Sequence, residues 1–197
     1  MSQTIIIATK NKHKVKEFKS IGKELGVKFI TLEAFPDLKQ AREDGKTFKD
    51  NAIKKAKHIA KKTGLVAIAD DSGICIDALG GEPGVRSARY AGGKGDDANN
   101  SKVLRRLKGV PSKLRKAHYH CSIAIASPTK LIGVAEGQVR GRITEELTGT
   151  GGFGYDPLFY YPPFKKTFAQ VPLKRKNTVS HRARALRKVV KILKKLD

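Results

Sequence analysis

Residues 65–81 read LVAIADDSGICIDALGG. An apolar run, Val66 to Ala69, stops at two adjacent carboxylates, Asp70 and Asp71, and a second apolar run after Ser72 and Gly73 carries a third acid, Asp77. Short runs bounded in this way predict two strands, LVAIAD and ICIDAL, separated by an Asp-Asp-Ser-Gly turn. Neighbouring carboxylates at the end of a buried strand repel each other and lose hydration, so the pair calls for a cation or a use for the strain. One or two acids, several waters and substrate oxygens are what Mg²⁺ chemistry on phosphates requires. The plain alternative, Asp71 as a helix cap, is weakened because no helical pattern follows it.

Outward from this stretch, strand-like and helix-like patterns alternate. TIIIAT reads as a first strand, and NKHKVKEFKSIGKELG as a helix with Val15, Phe18, Ile21 and Leu25 on one face. VKFITL is a second strand. Thr47 is placed to cap the next helix, with Asp50 three residues on and Phe48, Ala52, Ala56 and Ile59 facing inward. Residues 80–95, rich in glycine, predict an ordered loop, and GDDANNSKVLRRL a further helix. AHYHCSIAIAS and LIGVAEGQVRGRI predict an antiparallel pair across a turn at Pro128. After the loop LTGTGGFGYDP and the short LFYY, a last helix carries Val179, Ala183, Leu186, Val190 and Leu193. Early alternation with a hairpin in the middle predicts an α/β chain with a mixed sheet. The hairpin region, roughly 115–160, suggests a second lobe facing the first across a cleft. No linker-like segment divides the 197 residues, which read as one domain.

The formal charge is +23, from 41 Lys and Arg against 18 Asp and Glu. Such a balance suits anionic ligands, nucleotide phosphates as well as polymers, because the lysines are spread over every predicted helix instead of one stripe. Lysine-rich helices also occur in proteins from hot environments. A nucleic-acid-binding protein is the alternative reading, opposed by the lack of exposed aromatics interleaved with the basic residues. No stretch approaches the roughly 18–20 apolar residues of a membrane span. Cys75 and Cys121 lie far apart among apolar neighbours and read as two buried thiols in a reducing cytosol.

Several motifs carry possible chemistry. ATKNKHK follows the first strand: Thr9 and Asn11 suit helix caps, free N–H groups there attract anions, and Lys10, Lys12 and Lys14 add positive charge. Its spacing lacks the glycines of a P-loop. Glu43 precedes the second helix, where an acid commonly complements the dipole, and Lys55 lies two turns inside it. In GGFGYDP, residues 151–157, glycines around Phe153 let backbone approach a flat ligand while the ring stacks on it; the plainer reading is a tight turn with core aromatics. KNTVSHRARAL gathers Lys176, Ser180, His181 and Arg182 at the start of the last helix, suited to oxygens of a base or phosphate, or simply to solvent.

In this order, ATKNKHK, TFKDNAIKKA, ADDSGICIDALGGEPGVRSARYAG, GTGGFGYDP and KNTVSHRARAL resemble the inosine triphosphate pyrophosphatases, also called dITP/XTP pyrophosphatases, over nearly the whole chain. The resemblance implies a single domain, 1–197, with a long curved mixed β-sheet flanked by helices, and two lobes with the active cleft between them. It implies a cytoplasmic homodimer that hydrolyses ITP, dITP or XTP to the monophosphate and pyrophosphate, with neither a stable nucleic-acid partner nor a membrane. The phosphate-binding loop would fall on Thr9, Lys10, Asn11, Lys12, His13 and Lys14, with Lys55 a further contact; lysine and histidine stand at positions 10 and 13 where the family often has glycine. Glu43, Asp70 and Asp71 would hold Mg²⁺, for which Mn²⁺ substitutes readily because both take oxygen ligands. Asp71 would be the catalytic base, with Ser72 beside it on the substrate. Phe153, Gly154, Tyr155 and Asp156 would bind the base, Lys176, His181 and Arg182 would complete the substrate contacts, and His181 and Arg182 with backbone amides would favour a 6-oxo group.

Overall fold

A computed structural model of the chain describes residues 4–24, 28–39 and 41–194. Among them, seven strands form one mixed sheet in the order β2-β1-β3-β4-β5-β6-β7. The strands are β1 (Ile5–Ile7), β2 (Phe29–Thr31), β3 (Val66–Ile76), β4 (Lys116–Ala126), β5 (Leu131–Ile143), β6 (Phe159–Tyr161) and β7 (Lys166–Thr167). The first strand runs parallel to β2 and β3, whereas β6 is antiparallel to β5 and β7. The helices are α1 (Lys12–Glu24), α2 (Phe48–Thr63), α3 (Asp96–Arg106), α4 (Leu173–Val179) and α5 (His181–Leu193). The α/β class with a mixed sheet is as expected. Leu25, expected on the inner face of α1, lies outside the described residues.

The stretch around Asp70 and Asp71 is one continuous strand, not two strands and a turn. Gly73 permits this: a Cβ there would sit 2.2 Å from Ser87 Oγ and 2.6 Å from the Gly84 carbonyl oxygen. The Ser87 hydroxyl accepts from the Ile74 N–H at 2.9 Å, filling the space a side chain would take. Because the chain stays extended, successive side chains leave on opposite faces. The two acids are therefore separated by the sheet itself.

Described residues group into two compact units threaded through one another in sequence. The first comprises the chain through Asp71, Cys121–Gly137 and the stretch from His181. One face of its sheet presents Ile5, Ile7, Ile68, Ile123 and Ile125 to Phe18 and Ile21 of α1 and to Ala183, Leu186 and Val189 of α5. The other presents Ile6, Ala67, Ala69, Ala124 and Ala126 to Ala52, Ala56 and Ala60 of α2. Alanines on both sides of that second interface bring α2 close to the strands. Thr47 caps α2 as expected, its Oγ1 accepting from the Asp50 N–H at 3.1 Å, and Gly64 ends it at φ 72°.

The second unit comprises Ser72–His120 and Gln138–Ser180. Its core is aromatic: Tyr119, Phe159 and Phe168 pack with ring centroids 4.7 to 6.1 Å apart. The 80–95 loop is ordered, pinned by Ser87 and by the Tyr155 hydroxyl, which donates to the Ser87 carbonyl at 2.8 Å. One helix boundary differs from expectation. Ser180 turns extended (ψ 154°) and splits the last helix, so Val179 ends α4 and packs in the second core while α5 belongs to the first. Cys121 is buried as expected, but Cys75 is only half-buried because it points away from the core that Ile74 and Ile76 enter.

Candidate active site

In the first unit, strand parity decides which acid meets which base. Asp70 shares the Ile68 face, under α1 and α5; Asp71 shares the Ala67 and Ala69 face, under α2. Asp70 Oδ2 accepts from Lys14 Nζ at 2.9 Å and from Arg182 Nη2 at 3.0 Å. The Arg182 guanidinium also donates to Glu17 Oε2 through Nη1 and is 1% exposed. Burial alone pushes the Asp70 carboxyl up, but Lys14, Arg182 and Lys55 together hold it well below the ordinary carboxylate range.

On the opposite face, Asn51 Nδ2 donates to Asp71 Oδ2 at 3.0 Å and Lys55 Nζ to Oδ1 at 3.1 Å. Asn51 is itself fixed, because its Oδ1 accepts from the Gly45 N–H at 2.7 Å. Glu43 Oε1 lies 3.3 Å from the same Lys55 ammonium, so two carboxylates converge on one cationic point. The Asp71 pKa is raised: burial dominates over Lys55, Lys14 and the Asn51 hydrogen bond, which act to lower it. Burial alone would lower Lys55, but its three acidic neighbours raise it and keep it charged. A buried carboxyl of raised pKa, oriented by an amide and a lysine, suits a general base.

Asn11 opens α1, its Oδ1 accepting from the His13 and Lys14 N–H groups at 3.0 and 3.1 Å. Thr9 Oγ1 accepts from the Asn11 N–H at 3.2 Å. Lys10, Asn11, Lys12 and His13 are exposed around this helix start, and Thr9 is half-buried. His181, the first residue of α5, is buried.

In the second unit, Asp156 organises the turn that carries Phe153. Its Oδ2 accepts from the Phe153 N–H at 3.0 Å and from Lys176 Nζ at 2.6 Å, and its Oδ1 from the Tyr119 hydroxyl at 3.2 Å. Gly152 stands at φ 73° where a Cβ would lie 2.1 Å from Asp156 Oδ2, so only glycine fits. Phe153 is half-buried and outside the aromatic core, with Lys176 Nζ 4.9 Å from its ring centroid. Tyr155, by contrast, is a core residue. Ser72, the second unit's first residue, is half-buried.

Residues 5–192 match the Ham1 family. A protein of Desulforamulus reducens named dITP/XTP pyrophosphatase is 51% identical over 193 residues, 98% of this chain and 96% of its own. The chain belongs to the Ham1 family. A Listeria monocytogenes protein of the same name is 48% identical over 190 residues, 96% of this chain and 94% of its own. Among solved structures, the Ham1 protein of Staphylococcus aureus superposes with a TM-score of 0.85 at 39% identity, covering 99% of this chain and 100% of that one. The Coxiella burnetii HAM1 protein gives 0.87 at 39% identity, with coverages of 98% and 99%.

In this Ham1 chain, Lys14, Glu43, Lys55, Asp70, Asp71 and Arg182 gather in the first unit, and Phe153 to Asp156 with Lys176 in the second. Two polar residues join them that the sequence reading did not single out. Glu17 lies on the inner face of α1, at helical spacing from Lys14 and Ile21, and Asn51 lies one turn before Lys55 on the inner face of α2. A buried polar residue at an inward helical position was the available signal in both cases. Among the described residues, no group of three or more His, Cys, Asp or Glu side chains is arranged to hold a metal.

Proposed function

We propose that the whole chain, 1–197, acts as one catalytic domain, a cytoplasmic homodimer that hydrolyses ITP, dITP and XTP to the monophosphate and pyrophosphate. The carrying observation is Asp71, buried with raised pKa between Asn51 and Lys55. The relatives named dITP/XTP pyrophosphatase supply the substrate class. A water oxygen forms a bond to the α-phosphorus, and the bond from that phosphorus to the α–β bridging oxygen breaks. Pyrophosphate leaves with the electron pair, and the water proton passes to Asp71 and then to solvent. Lys55, kept charged by its neighbours, faces the charge that develops on the phosphate oxygens.

Glu43 and Asp71 would hold the metal, Mg²⁺ or Mn²⁺. Their oxygens already converge on the Lys55 ammonium, and two acids suit an ion that completes its shell with waters and phosphate oxygens. When bound, the ion supplies charge neutralisation and orientation of those oxygens. Asp70, tied up by Lys14 and Arg182, is better suited to fixing those two cations than to ligating a metal directly. Thr9, Lys10, Asn11, Lys12, His13 and Lys14 at the start of α1 bind the triphosphate. Phe153 stacks on the purine, Ser72 and His181 contact the substrate, and Lys176 with Asp156 holds the stacking turn. A 6-amino purine would leave donors facing donors, which disfavours ATP.

Product analysis tests the reading. With ITP and Mg²⁺ the first products should be IMP and pyrophosphate; IDP and orthophosphate would overturn it. Retention of a labelled oligonucleotide with no release of pyrophosphate would instead favour a nucleic-acid-binding role.

A further inference from the structure

The 153–156 turn is held from outside as well as by its own Asp156. Asp96 Oδ2, in the first turn of α3, accepts from the Gly154 N–H at 2.7 Å. One helical turn further on, Asn100 Nδ2 donates to the Gly154 carbonyl oxygen at 2.9 Å. Both polar groups of one peptide residue are thus gripped by an i, i+4 pair on a helix more than fifty residues away in sequence. The Phe153 N–H goes to Asp156, and the Phe153 carbonyl accepts from the Asp156 N–H at 3.2 Å. Gly154 sits at φ 64°, one of several conformations that lie close in energy for glycine, so its own backbone does not select it. Asn100 is 2% exposed and cannot swing away. The α3 helix is fastened to the same unit through Asn99, whose Oδ1 accepts from the Ala91 N–H at 2.7 Å.

We infer that Asp96 and Asn100 are positioning residues that clamp Gly154 and thereby fix the Phe153 ring for stacking on the base. This rests on the stacking role proposed above. A ring presented in one orientation before binding loses less freedom when the nucleotide arrives, so the clamp acts on affinity and leaves the reacting phosphate alone. An Asp-to-Asn change keeps an acceptor oxygen for the Gly154 N–H; an Asp-to-Ala change does not.

Two measurements test the clamp, the first independent of any substrate. Hydrogen exchange of the Gly154 amide should accelerate in Asp96→Ala, while amides of the aromatic core stay protected. Unchanged exchange at Gly154 overturns the clamp. In steady-state assays with ITP, Asp96→Ala should raise KM about tenfold with kcat within about twofold, the pattern of lost uniform binding. Asp96→Asn should recover most of that loss. Asn100→Ala should raise KM in the same direction. In a Phe153→Ala background, Asp96→Ala should add less than about twofold, because the ring it positions is gone. A full tenfold effect in that background, or a fall in melting temperature with KM unchanged, overturns the positioning role. Wild-type protein that releases no pyrophosphate from ITP overturns the enzymatic reading instead, and leaves the exchange result to decide the clamp.

Discussion

At the scale of single residues, Asp71 and Asp70 answer to opposite electrostatics. Asp71 has a raised pKa, so its ionised form is the costly one: the stability it contributes is complete below the ordinary carboxylate value and is lost as pH rises through the folded value. Asp71→Asn should therefore melt at or slightly above the wild-type temperature near pH 7 without metal, while turnover of ITP falls at least about 100-fold, the low end for losing a positioned base. Wild-type turnover in that variant would remove Asp71 from the mechanism. Asp70 has the reverse sign. Its depressed pKa contributes stability above the unfolded value of about 3.9, lost as pH falls below it. Asp70→Asn leaves the buried Arg182 with Glu17 but removes the charge that Arg182 and Lys14 share, and should cost about 3 kcal/mol at pH 7, the low end for breaking a buried ion pair. Urea melts repeated toward pH 2 should show that gap closing; a gap constant with pH would mean that Asp70 acts by shape alone. The acid pair was legible in the sequence as a place for charge. Its division between two faces was not, because a turn was expected where Gly73 keeps the strand straight.

At the scale of elements, β5 meets α5 backbone to backbone. A Cβ on Gly137 would lie 2.2 Å from the His181 carbonyl oxygen and 2.6 Å from the Ala185 nitrogen, neither of which can move without the helix. Gly137→Ala should destabilise by about 1–3 kcal/mol through overpacking. Four residues earlier on the same strand, a Cβ on Gly133 would meet only the ends of the Ile192 side chain at 3.3 Å, and Gly133→Ala should be close to neutral. Chemical denaturation of the two variants side by side checks the difference; equal losses would show that strand propensity, not contact, decides. Helices α1, α2 and α3, both long strands of the hairpin and the cap at Thr47 were all legible from periodicity and turn chemistry. The break at Ser180 was not. The apolar spacing runs unbroken from Val179 to Leu193, and only the membership of Val179 in a different core reveals that two helices are involved.

At the scale of the whole molecule, a formal charge of +23 sets a long-range field that favours the approach of a triphosphate. If that field assists capture, kcat/KM for ITP should fall as NaCl rises from about 0.05 to 0.5 M while kcat changes little, because exposed charges are screened and buried pairs are not. A salt-independent kcat/KM would confine the useful charge to the buried lysines. The threading of the chain through two units has a further consequence, for how the protein is made. On the ribosome the amino-terminal strands and α1 emerge early, but the helix that covers them, α5, is translated after all the other strands and helices named above. Until it arrives, the Ile5, Ile7, Ile68 and Ile123 face has no helix from that side except α1, and Asp70 and Glu17 lack the Arg182 guanidinium. A nascent chain cut short between Ile125 and His181 therefore leaves that isoleucine face and two carboxylates uncovered, the kind of surface that invites aggregation before synthesis is complete.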